Sequence, residues 1–161
     1  MRLLLVTGFV CALSASVAFA AGPTVSTSGL RMSVPPGWHA VVSKTRSCDP
    51  ERLIVASSAP IRVAASGGLA APDRSQVLVV LLEDRQVRPV GDLRRPTRFS
   101  VRWNRLTRVQ GDCGLPDAPA FLRYFKSHGR YLGFIVYPGA RVGNATRTKT
   151  LALMDSLRVS R

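Results

Sequence analysis

The chain has 161 residues, 23 Lys and Arg against 9 Asp and Glu, a formal charge of +14 and an isoelectric point near 11.4. That length suits one domain with a real core. Two histidines and three cysteines leave too few ligands to assemble a metal cluster, so no metal and no cofactor is expected.

Twenty of the cations are arginine; only Lys44, Lys126 and Lys149 stand beside them. A polyanion-binding surface explains this, and so does coding bias toward Ala, Gly, Pro and Arg. Bias accounts for Arg over Lys but not for the shortage of acids.

The N-terminus reads as an export signal. Arg2 is a positive n-region, Leu3 to Val17 is almost wholly apolar, and Ala18-Phe19-Ala20 has the small-x-small form of a cleavage site. An uncleaved anchor is the alternative. Cys11 lacks the flanking sequence of a lipoprotein, with Val10 before it and an apolar run after it. The reading is residues 1–20 as signal, 21–28 as a flexible leader and 29–161 as one secreted or extracytoplasmic domain with no membrane span after cleavage. Cys48 and Cys113 then remain, and a single pair in an exported protein is expected to form a disulfide. Closing that loop is worth ~4 kcal/mol in the chain-entropy model.

Strand patterns follow. Gly29 to Val34 alternates apolar Leu30, Met32 and Val34 with Arg31 and Ser33; Pro35-Pro36-Gly37 turns the chain, and Trp38, a core anchor, begins a second short strand through Val42. Arg52 to Ser57 and Ile61 to Ala64 are β-like, and 66–75 is a Gly/Ala/Pro loop expected to be disordered. Val77 to Leu82 is apolar without alternation, the mark of a central strand covered on both faces.

From Arg85 to Arg108 eight arginines meet one acid, Asp92. Phe99, Val101 and Trp103 alternate with Arg98, Ser100 and Arg102, which predicts a strand with one apolar and one basic face. Arg94, Arg95, Arg98, Arg102, Arg105 and Arg108 are the anion-binding candidates, because guanidinium forks suit phosphate and carboxylate. A solvated edge strand, where charge blocks self-pairing, is the plainer reading.

The stretch after Cys113 predicts a hairpin turning at His128-Gly129, with Ser127 opposite Arg130, Phe125 opposite Leu132, Arg123 opposite Phe134 and Phe121 opposite Val136. Both of its faces are largely apolar, so it too should be covered on both sides. The cover is a C-terminal helix over 144–156, capped by Asn144 and burying Thr148, Leu151 and Leu157 with Met154. A last short strand spans Leu157 to Val159. The fold class is α+β: an antiparallel sheet with the helix packed on one face and one disulfide, mainly β being the alternative.

Val34-Pro35-Pro36-Gly37-Trp38, Gly129-Arg130-Tyr131 and Leu153-Met154-Asp155-Ser156-Leu157-Arg158-Val159 resemble the PsbP-like proteins, and more broadly small exported bacterial proteins of that fold. The resemblance covers the two ends of the domain and skips the arginine stretch. It implies an antiparallel sheet between helices and a binding or accessory role, and it brings no catalytic residues.

Catalytic signatures are missing: HExxH, CxxC, GxSxG and GxxxxGK[ST] do not occur. A hydrolase site could only be assembled from scattered residues, such as Ser127 and His128 with Asp112 or Asp117. The reading is therefore a secreted, non-catalytic binding or accessory protein of the cell envelope or extracellular space. Its partner is an anionic polymer or another envelope protein, not a specific nucleic-acid sequence. An envelope hydrolase and a structural partner protein are the alternatives.

Overall fold

The computed structural model describes residues 22–43, 51–84 and 93–160. The export signal, Cys48 and five of the chain's arginines (Arg2, Arg46, Arg85, Arg88 and Arg161) lie outside them. Within them the fold is mainly antiparallel sheet with a single C-terminal helix. No described helix is long and apolar enough to cross a membrane.

Three short strands form a small sheet: β1 (Thr24–Thr27), β2 (Leu30–Ser33) and β9 (Arg158–Val159), in the order β1-β2-β9. The expected flexible leader is therefore corrected to a strand. β1 folds back on β2 with Thr27 opposite Leu30, around a turn in which Ser28 and Gly29 both take positive φ.

The main sheet has the order β3-β4-β5-β8-β7-β6. Its strands are β3 (His39–Val42), β4 (Glu51–Ser57), β5 (Val77–Asp84), β6 (Thr107–Val109), β7 (Ala118–Ser127) and β8 (Arg130–Pro138). β5 is central and buried along its whole length, as its unbroken apolar run predicts. The β7–β8 hairpin keeps the expected register, Ser127 to Arg130 through Phe121 to Val136. His128 and Gly129 supply the two positive φ angles of a two-residue turn, at 51° and 81°.

Alternation along these strands divides the core in two. On the front, Ile54, Val79, Leu81, Phe125, Phe134 and Val136 meet the small sheet, Trp38 and the helix α1 (Asn144–Asp155). Trp38 is buried there as an anchor. On the back, Val55, Leu78, Val80, Leu82, Ile135 and Tyr137 are closed by loops carrying Ile61, Leu69 and Leu115.

The helix buries Thr150, Leu153 and Met154. Two expectations are corrected here: Thr148 is exposed, and Gly143 occupies the cap position while Asn144 is the first helical residue. Leu157, expected in the buried stripe, is buried just past the helix, one residue before β9.

The loop over 66–75 is likewise not the disordered segment its composition suggests. The Leu69 N–H donates to Gly114 O, Val63 bridges Leu69, and Arg62 pairs with Asp73 at 2.8 Å. The expected strand over Ile61 to Ala64 reduces to that one bridge. Gly68 and Gly114 are glycine for a steric reason: a Cβ on Gly68 would lie 2.9 Å from the Gly114 Cα.

Candidate functional site

The arginine stretch does not fold as the strand its alternation predicts. From Arg95 to Leu106 the chain has no ladder of backbone bonds, yet the alternation is real: Phe99 and Val101 are buried, and Arg98, Ser100 and Arg102 are exposed. An extended segment shows period two whether or not it pairs. This one crosses the front of the sheet instead of joining it. The Phe99 ring meets those of Phe125 and Phe134 edge-on, each with centroids 5.1 Å away. Such aromatic contacts hold a segment by its side chain when its backbone is unpaired.

Polar ties fix the same segment at further points. The Phe99 N–H donates to Asp155 Oδ1 at 2.7 Å, and the Arg147 guanidinium lies 5.3 Å from the centre of the Trp103 ring. Arg95 donates to Leu157 O at 2.5 Å. Burial lowers the Arg95 pKa, the nearby Arg158 adds to the effect, and Asp155 opposes it.

Held this way, the segment leaves a groove of about 640 Å³ between itself and the outer edge of β7, a size that suits a small ligand or a short peptide. Arg98, Arg102, Arg105 and Arg108 line it, joined by Arg123 from β7; Pro96, Phe99, Phe121 and Leu122 complete the walls. No acidic residue lines it.

The six candidates thus part company. Arg98, Arg102 and Arg105 converge on the groove, exposed, and make no ion pair among the described residues. Arg108 reaches the rim but is held in a fork by Asp117, Nε to Oδ1 at 2.8 Å and Nη2 to Oδ2 at 3.0 Å. That pair raises the Arg108 pKa and lowers that of Asp117, the shared hydrogen bond being the main cause in both. Arg94 and Arg95 stand away from the groove. Arg94 bridges Lys126, and Arg95 serves the turn after the helix.

Arg123 lies outside the arginine stretch and is not among the six candidates, although the hairpin register puts it across from Phe134. A charged side chain on an otherwise apolar strand face has to escape at an edge, which marks Arg123 from the sequence.

The scattered hydrolase site fares differently. Ser127 Oγ lies 3.2 Å from His128 Nδ1. Asp117, however, precedes the first residue of β7 and Ser127 is its last, a span of roughly 30 Å along an extended strand. The nearer carboxylate, Glu83, is taken by Arg130, Nε and Nη2 each donating at 2.7 Å. Among the described residues no group of His, Cys, Asp and Glu is placed to hold a metal ion.

No protein-family model, curated protein or solved structure matches this chain.

Proposed function

We propose that this chain is a secreted, non-catalytic binding or accessory protein of the cell envelope or extracellular space, and that the groove beside β7 holds an anionic polymer. The observation that carries the reading is the convergence of Arg98, Arg102, Arg105 and Arg123 on one concave site with no carboxylate in its lining. Gathering like charges around a cavity costs free energy that only an anionic occupant returns, and the walls raise the local field an anion meets. Arginines present through coding bias would distribute over convex surface and pair with whatever acids were near, as Arg62 does with Asp73.

The Cys48–Cys113 disulfide belongs to the same proposal. Arg52, four residues after Cys48, donates through Nη1 to Gly114 O at 2.9 Å, so the start of β4 comes within a side chain's reach of Cys113. The PsbP-like resemblance of the two chain ends agrees with an accessory role.

The test is retention of the full chain on an anionic matrix against the Arg98→Gln/Arg102→Gln/Arg105→Gln variant. The variant should elute at lower salt, with the log–log salt slope smaller by roughly one per arginine removed. Identical elution of the two proteins would remove the groove from the reading.

A further inference from the structure

The groove has a second property besides its charge: one wall is bare sheet edge. β6 pairs with β7 only from Val109 opposite Ala118 to Thr107 opposite Ala120. Pairing resumes where Arg94 bridges Lys126 and the Lys126 N–H donates to Leu93 O. Ala120 and Lys126 therefore both turn their backbone groups outward, and the period of two along a strand turns those of Leu122 and Tyr124 the same way. Neither residue has an outward backbone partner among the described residues. Leu122 is also one of the few large apolar side chains left exposed, at 40%.

We propose that the occupant of the groove is an extended acidic peptide segment that adds a short strand to β7 opposite Leu122 and Tyr124. This rests on the reading of the groove as an anion site and narrows its ligand to one class. The deciding feature is that the edge offers acceptors as well as donors. Each of the two residues presents an N–H and a C=O; a phosphate or sulfate polymer has no donor for the C=O groups, so it is held better at the guanidiniums than along the edge. A polypeptide supplies both, as strand addition to exposed edges does elsewhere.

Side chains then sort by alternation. In an antiparallel pairing, the peptide residue opposite Arg123 lies on the same face as Arg123, and a carboxylate there meets the guanidinium cluster. The residues on either side of it lie over Leu122 and Tyr124. The free edge runs from Phe121 to Phe125, five residues or roughly 16 Å, so the segment is three to five residues long. β6 blocks one end and the Arg94 bridge the other. That bracket keeps the edge from pairing with a long strand of another copy, the usual hazard of an exposed edge.

The experiment compares acetylated, amidated pentaglutamate with tripolyphosphate on the full chain, reading affinity and hydrogen exchange. The peptide should slow exchange of the Leu122 and Tyr124 amides, and tripolyphosphate should leave the Tyr124 amide unprotected. Leu122→Pro removes one outward N–H at an edge position that tolerates proline. It should weaken the peptide roughly fivefold, the value of one backbone bond, and tripolyphosphate by clearly less than the peptide. Where Leu122→Pro does not fold, the exchange pattern of the wild-type protein decides alone. Equal binding of both ligands without amide protection would overturn the strand-addition inference and leave the anion groove standing. Failure of both ligands to bind would bring down both.

Discussion

The two faces of the main sheet are closed in different ways. The front is covered by regular elements, the small sheet and the helix, with Phe99 dropped between Phe125 and Phe134. The back is covered by loops, and polar atoms enter its core: the Arg52 side chain bonded to Gly114 O, and the Tyr137 hydroxyl, buried without a hydrogen-bond partner among the described residues. Front-face stability therefore comes from apolar side-chain area, whereas the back depends on how well loop backbones fit one another. The same substitution chemistry should act with opposite sign on the two sides.

The largest effect belongs to the front. Phe99→Ala should cost about 3–5 kcal/mol, read as a lower denaturation midpoint at unchanged slope, because it empties the centre of an aromatic cluster. It should also release the arginine segment, so that retention on an anionic matrix falls although every arginine remains. Full retention beside the stability loss would mean that the groove does not depend on the Phe99 anchor.

The next effect is at the tip of the hairpin, where Arg130 ties the front together. It holds Glu83 bidentately and donates to Ser28 O in the β1–β2 turn. The pair is largely buried, with side-chain exposures of 20% and 10%. Arg130→Met takes a bidentate partner from the buried Glu83 carboxylate and should cost about 3 kcal/mol. Replacing both residues by apolar ones should return most of that loss. A single-variant loss under about 0.5 kcal/mol would put the pair in the class of solvent-screened surface bridges.

The same division governs what could be read from the residues beforehand. β5, β8 and the hairpin register were readable because a two-sided apolar run and a His-Gly turn each admit few structures. The back was not. The loop over 66–75 owes its order to Gly68 seated against Gly114, a contact between residues 46 apart that no local composition encodes. The arginine segment lies between these cases. Alternation correctly separated Phe99 and Val101 from Arg98 and Arg102, but period two cannot tell a paired strand from an extended segment lying across a sheet. Convergence of the arginines likewise depends on where β6 stops pairing with β7, which is a property of the register and not of the arginines.

The smallest effect belongs to the back and runs the other way. A buried hydroxyl with no partner is a cost that phenylalanine does not carry, so Tyr137→Phe should leave stability at pH 7 unchanged or raise it by about 1 kcal/mol. Burial, the main cause, pushes the Tyr137 hydroxyl well above its ordinary pKa of 10.0, with Arg52 pulling weakly against it. A group whose folded pKa is raised contributes fully below its unfolded value and loses that contribution as pH rises above it. The wild-type protein should therefore lose stability as pH climbs past 10, because the unfolded chain releases the tyrosine proton while the folded one keeps it. Tyr124, shifted upward by burial and by Asp84, adds a smaller slope in the same direction. Denaturation midpoints from pH 8 to 11 should fall less steeply for Tyr137→Phe than for wild type, and parallel curves would mean that burial does not raise the Tyr137 pKa on folding.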